Sequence, residues 1–407
     1  MIMTDNNENK VLNVPHLRFP EFTEEWKETK LGKIAEITKG SGISKDRLSE
    51  YGSPCILYGE LYTKYKSEII NEVYSRTELD SSLLVKSKAN DVIIPCSGET
   101  AIDISTARCV PFNNILLGGD LNIIRLKNND GGFFAYQLNG TRKKDIARVA
   151  QGVSVVHLYG ENLKHIRVYH PAIEEQKKIT RLLSLIDKRI ATQNKIIYKL
   201  KSLIRGIMVE LQKRGLSNGT WKKVLLSNVL TERNELNKSL YPVYSVSVIQ
   251  GIVNQMEYLG RSFAASDTSK YHVVHYGDLV YTKSPTGSFP YGIIKQSYNQ
   301  NEVAVSPLYG VYEPKTFSTG VFLHEYFKSE LNTLNYLHPL VQKGAKNTIN
   351  IANQRFLESY VAIPSNANEL LAISKLLCSL NTKLEFLQNI LKQSQGQKQY
   401  LLRQMFI

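Results

Sequence analysis

Few of the reactive side chains in this sequence are spaced for chemistry. The four cysteines, Cys55, Cys96, Cys109 and Cys378, make no Cys-x-x-Cys pair and have no histidine at ligand spacing. They read as reduced, mostly buried thiols of a cytoplasmic protein, and a zinc site is not expected. The eight histidines are scattered; His272 and His275 read as strand or loop residues. Glu28-x-Lys30 lacks the preceding aspartate that a nuclease site needs. Ser97–Gly98–Glu99 and the Ser-rich stretch at 284–288 have no His/Asp partner nearby and read as loops. There is no Asn/Asp-Pro-Pro-aromatic motif, no Gly-rich cofactor loop after an early strand, and no Gly-x-x-x-x-Gly-Lys-Ser/Thr phosphate loop. The expectation is a chain with no catalytic constellation, no metal and no cofactor of its own.

What remains is contact chemistry. Phosphates are held by Lys, Arg and backbone N–H groups, and base edges are read by Arg, Asn, Gln, Ser/Thr or carboxylates. Tyr62, Lys64 and Lys66 interleave aromatic and basic side chains in GELYTKYK, and Ser97 lies in the loop after an apolar run. TRKKDIARVAQGVS offers Arg142, Lys143, Lys144, Arg148, Gln151 and Ser154. Later in the chain, YTKSPTGSFPYG offers Lys283, Ser284, Thr286 and Ser288, and QKGAKNTIN offers Lys343, Lys346 and Asn347. A net charge of +14 and a pI near 9.3 favour an anionic partner, nucleic acid first. Most of that charge is local: residues 171–220 carry a net +7 and residues 371–407 a net +4.

Those two basic segments must be helices. After Pro171, Ile179, Leu183, Ile186, Ile190, Ile197, Leu200 and Ile204 alternate steps of four and three, with Gln193 in a polar slot. This is a coiled-coil seam. Glu174 and Glu175 suit a helix start, Gly215 and Gly219 are expected to close it, and ~1.5 Å per residue makes it roughly 55–60 Å long. After Pro364 the pattern recurs at Ile373, Leu377, Leu380, Leu384 and Leu391, with Ser394 and Lys398 in polar slots and Asn366/Glu369 as a capping pair. Each such helix needs an apolar partner, and an antiparallel pairing of the two supplies it.

The segments ahead of the helices repeat as well. Trp26 and Trp221, the only two tryptophans, lie 195 residues apart, as do Leu31 and Leu226. Asp91 and Asp278 are 187 apart, as are Leu121 and Leu308, and Pro171 and Pro364 are 193 apart. Short alternating runs make each half an α+β domain of mixed short-stranded sheets. The expected organisation is a tail at 1–15, a globular domain at 16–170, a helix at 171–215, a second domain at 216–363 and a helix at 364–407. Tyr58 and Tyr244 belong to the cores. With the helices antiparallel, such a chain has approximate two-fold symmetry, as duplex DNA has, and suits two separated half-sites. No apolar run reaches the ~18 residues of a membrane span, and the polar first residues do not suit a secretory signal.

With VPHLRFPEF…EWKETKLG near the start, YGEL at 58–61, PAIEEQKKI opening the first helix, GDLVY at 277–281 and LLRQMF near the end, the sequence resembles the specificity subunits of type I restriction-modification systems. The resemblance runs from about residue 15 onward; the second helix opening, PSNANELLAI, departs from the pattern by lacking Glu-Gln. It implies a non-catalytic DNA-binding subunit in which each globular half, a target-recognition domain, reads one half of an asymmetric bipartite site. The helices would set the spacing and dock two modification subunits that methylate adenine. S-adenosylmethionine would be held by those partners, and ATP with Mg by restriction subunits where these join. The alternatives are a scaffold whose basic helices bind acidic partners, or a single-chain DNA-modifying enzyme, which the missing motifs disfavour.

Overall fold

In each half of the chain the alternating runs form a four-stranded antiparallel sheet of the same order. The first sheet runs Ala35–Lys39, Leu121–Leu126, Asp91–Pro95, Arg108–Val110, and the second Leu230–Glu232, Gly310–Pro314, Leu279–Tyr281, Ile294–Gln296. The computed structural model describes residues 12–261, 264–343 and 349–407. It divides into two compact units, one of residues up to Asn194 with Ile390–Ile407, the other Lys195–Asn389. The fold is α+β with two long helices, Ile173–Ser217 and Ala367–Gln404. No helix among the described residues is long and apolar enough to cross a membrane.

The two aspartates that match in the repeat do the same local chemistry. Asp91 accepts from the backbone N–H of Lys88 at 2.8 Å, and Asp278 from that of His275 at 2.8 Å, so each carboxylate closes the turn into its central strand. Each also takes an arginine on both oxygens, Arg125 at 2.9 and 2.8 Å and Arg233 at 2.8 and 3.2 Å. Arg125 lies in the strand Leu121–Leu126 and Arg233 just past the strand Leu230–Glu232, so the pair is repeated in space but not in sequence. Strand register also corrects one equivalence. Val92 pairs with Ile124 and Leu279 with Tyr312, which aligns Leu121 with Tyr309, not with Leu308. A one-residue shift reverses which face a side chain takes, and Leu308 is indeed an exposed turn residue.

Each unit is closed by a strand pair joining its two ends: Lys27–Lys30 with Arg167–His170, and Trp221–Leu225 with Tyr360–Pro364. The tryptophan at each closure is buried and meets a helix phenylalanine edge-on, Trp26 with Phe133 and Trp221 with Phe322, both at 5.4 Å between centroids. Tyr58 and Tyr244 are partly buried against satellite cores of their units.

The helix seams pack into these cores. In the first unit Ile179, Leu183 and Ile186 of the first long helix lie with Leu401, Leu402 and Met405 of the second, and Ile190 packs alongside. In the second unit Ile373 and Leu377 lie with Ile204 and Met208, and Leu200, Leu380 and Leu384 pack alongside. In each unit the beginning of one helix meets the end of the other, so the pairing is antiparallel. Ile197 is buried and Leu391 half-buried.

Two expectations at the helix ends change. Gly215 does not close the first helix; it lies inside it, because the Trp221 ring covers that turn and a Cβ there would stand 2.2 Å from the indole. Gly219, at φ +69°, makes the turn that follows. Asn366 does cap the second helix, accepting from Asn368 N–H at 2.8 Å, but Glu369 turns instead to the Trp221 Nε1–H, also at 2.8 Å. Gly206, by contrast, faces open space in the same helix as Gly215. Gly206→Ala should therefore stabilise the protein by about 0.5–1 kcal/mol. Gly215→Ala, which must displace the indole, should cost about 1–3 kcal/mol. Thermal denaturation of the two variants should move the midpoint in opposite directions.

Candidate nucleic-acid interface

In the first unit the candidate residues lie on adjoining loops. The turn helix Glu60–Thr63 carries Tyr62 and is tied down by buried Arg108, which donates to the carbonyls of Leu61 at 3.1 Å and Tyr65 at 2.9 Å. Lys64 is bound to Glu60 and Ser75, and Lys66 donates to the Thr63 carbonyl while remaining exposed. Beside this turn, Ser97–Gly98 pairs antiparallel with Val156–His157. Gln151 and His157 exchange backbone hydrogen bonds at 2.9 and 2.7 Å, which makes 151–157 a hairpin, and Gly152 at φ +118° turns its tip. Gln151 and Ser154 are exposed on it.

The basic stretch 142–148 is split in purpose by its helix, Lys143–Arg148. Arg142 donates to the main-chain oxygen of Ile407 at 2.7 Å, pairs with Asp145 and lies over the Tyr169 ring. Lys143 is half-buried and donates to Thr106 Oγ1 at 3.3 Å; burial, then buried Arg108, lowers its ammonium pKa. Lys144 and Arg148 point outward, Arg148 with 75% of its side chain exposed and only a surface pair to Asp145. The stretch therefore turns two cations outward and keeps two for its own structure.

The second unit places its candidates on the corresponding loops. After the central strand, Lys283 sits in the left-handed region at φ +60°, half-buried, with burial lowering its pKa. Thr286 and Phe289 exchange backbone hydrogen bonds at 3.0 Å around Gly287–Ser288, a tight exposed turn, and Ser288 is held by Glu330. Ser284 is exposed and Thr286 half-buried. The Tyr291 ring lies 5.9 Å from His338, joining this loop to the segment that leads into Gln342–Lys343. That strand pairs antiparallel with Ile349–Asn350; Lys346 and Asn347 lie outside the described residues.

Several surface residues were not singled out in the sequence. His157 and Tyr159 stack with centroids 6.2 Å apart at 24°, and both are exposed next to the hairpin. Val153 at the tip is 96% exposed. Their only signal was an aromatic pair in the run approaching the first helix. Among the described residues no three His, Cys, Asp or Glu side chains gather as a metal site would require, and all four cysteines are free thiols.

The helix-opening motif also acquires a function. Arg18, from LRFP, donates to both Glu175 oxygens at 2.8 Å, and Gln176 accepts from Asp130 N–H at 2.9 Å while donating to Asn129 and the Pro171 carbonyl. The family description "Type I restriction modification DNA specificity domain" matches residues 23–202. The likeness to this family thus covers the first globular part and the start of the first long helix. The family's domain is non-catalytic. The crystal structure of a type I restriction-modification system S subunit from M. genitalium has the same fold along its length, with a TM-score of 0.67 at 14% identity, covering 97% of this chain and 99% of that one. The HsdS subunit from Thermoanaerobacter tengcongensis matches with a TM-score of 0.37 at 13% identity, over 94% and 96% of the two chains.

If these outward cations hold DNA phosphates, Lys144→Gln and Arg148→Gln should each flatten the dependence of log K on log salt by about 1, the mark of a lost phosphate contact. Arg142→Gln and Lys143→Gln should lower thermal stability first. Titrating a DNA duplex at several salt concentrations, beside a melting curve for each variant, separates the two effects.

Proposed function

We propose that this chain is a type I specificity subunit that reads an asymmetric, bipartite DNA site, one half-site per unit, and presents that site to modification subunits that methylate adenine. The observation that carries the proposal is the recurrence, in both units, of one sheet order, with a loop after the central strand and a short paired stretch ahead of the long helix. The framework is repeated and the loops are not: SGET follows the central strand in the first unit, and TKSPTGSFPYG in the second. A repeated frame with divergent loops gives two readers of the same build and different taste. Phosphate contacts from the outward lysines and arginines would set register, and the short polar side chains of the loops would face base edges.

The long helices support the docking part of the proposal. Beyond the seam they expose Leu185, Ile196, Leu203, Phe386 and Tyr400, each more than two-fifths exposed. Apolar side chains in that number on basic helices suit burial against partner helices. Methyl transfer would then use S-adenosylmethionine held by the modification subunits, and restriction subunits, where present, would bring ATP and Mg.

Replacing residues 216–363 by the corresponding segment of another member should change one half-site and leave the other and the spacer unaltered. Sequencing methylated adenines from the assembled complex reads this directly. A change in both half-sites, or in neither, would sink the proposal.

A further inference from the structure

The second long helix carries a lysine where its seam should be apolar. Lys398 is only 9% exposed, and its Nζ lies 2.6 Å from Glu68 and 2.6 Å from Asp187. Tyr136 Oη donates to the other oxygen of Asp187 at 2.7 Å, and the Lys398 ammonium stands 5.6 Å from the Tyr136 ring centre. All four residues belong to the first unit, and together they join both long helices to the globular part. The second unit has a different node at the equivalent place. There Asn381 donates to Glu325 at 2.7 Å and Lys328 pairs with the same carboxylate. The first-helix residue that matches Lys398 in the repeat is Ile204, which is apolar and buried.

An apolar seam repeats every seven residues and tolerates a slip of seven. Leu391, Lys398 and Met405 occupy the same seam position at that interval. In the observed register the lysine meets both carboxylates. A slip in either direction would set Glu68 and Asp187 against Leu391 or Met405, two buried carboxylates without their cation. We propose that Lys398 is a positioning residue that fixes the register of the second long helix on the first unit, and through it the length of spacer the subunit accepts. The spacer half of this statement rests on the bipartite reading above; the register half does not.

The test uses the whole chain with Cys378→Ser and spin labels at Leu185→Cys and Tyr400→Cys, both positions being exposed. The parent and Lys398→Arg should give one narrow distance. A neutral node, Glu68→Gln/Asp187→Asn/Lys398→Met, should add a second, longer distance, because a slip of seven residues at ~1.5 Å each carries the second label about 10 Å along the helix from its place opposite the first. Moving the cation one repeat, Leu391→Lys/Lys398→Leu, keeps the charges in balance and should shift the whole distribution to that longer distance. An unchanged single distance in either variant overturns the proposal. These distances are read without DNA. If they move while the spacer between methylated half-sites stays fixed, the register role stands and the link to the spacer is overturned. If no bipartite site is methylated even by the parent complex, it is the reading of the function that has failed.

Discussion

Both units depend on one constraint: the first and last strands of each must pair. Lys27–Lys30 with Arg167–His170, and Trp221–Leu225 with Tyr360–Pro364, bring the two ends of a globular unit to one place. The chain consequently arrives and leaves side by side, and the departing segment begins a long helix directly at the closure. A tryptophan secures each junction from within. Its ring is buried, and its edge-to-face contact with a phenylalanine adds about 0.5–1.5 kcal/mol beyond the area it buries. Without that closure the helices would have apolar seams and no core to enter.

The helices complete each core with borrowed parts. The end of the second helix supplies Leu401, Met405 and Phe406 to the first unit, where Phe406 packs 6.3 Å from Trp26 and 5.1 Å from Phe133. The end of the first supplies Ile204 and Met208 to the second. The Lys398 node is the costly element in this arrangement. Charges so deeply buried gain little net stability from being paired, and removing one partner costs about 3–5 kcal/mol. Such a group serves to discriminate among packings, since its penalty falls only on the wrong ones. Burial and Glu68 raise the Asp187 pKa, and Lys398 and Tyr136 oppose them, so the node holds together through its hydrogen bonds as much as through charge.

Much of this was legible in the sequence because periodicity and duplication are averaged over many residues. Seam residues such as Ile179, Ile186 and Leu377 are buried where the four–three spacing puts them. The tryptophans marked the repeat because a large ring at a closure has few substitutes. What was hidden depends on pairs distant along the chain. Arg18 and Glu175 lie in two separate motifs, and nothing in either announces the other. Gly215 looked like a helix end because a glycine near a basic last turn usually is one; the indole lying across it overrides that signal. The contact loops were legible only as composition. TRKKDIARV shows four cations alike, yet the fold gives Arg142 to the main chain at Ile407 and Lys143 to Thr106 and leaves Lys144 and Arg148 outward.

The departures from the repeat are as informative as the repeat itself. Glu175 and Glu369 match in the two helices, but Glu175 is occupied by Arg18, whereas Glu369 receives the Trp221 N–H. Among the described residues the Trp26 indole Nε1–H is buried without a hydrogen-bond partner, a cost the Arg18 clamp must outweigh. The same divergence appears at the central aspartates, where the arginine arrives from within a strand in the first unit and from just past the end of a different strand in the second. In each case a buried carboxylate stays in place while its partner changes. A buried carboxylate must be satisfied by some donor, but the donor's origin in sequence is free to drift. Duplicated units that keep their acceptors and exchange their donors remain alike in frame while ceasing to be interchangeable. The proposed reading of two different half-sites needs both properties at once.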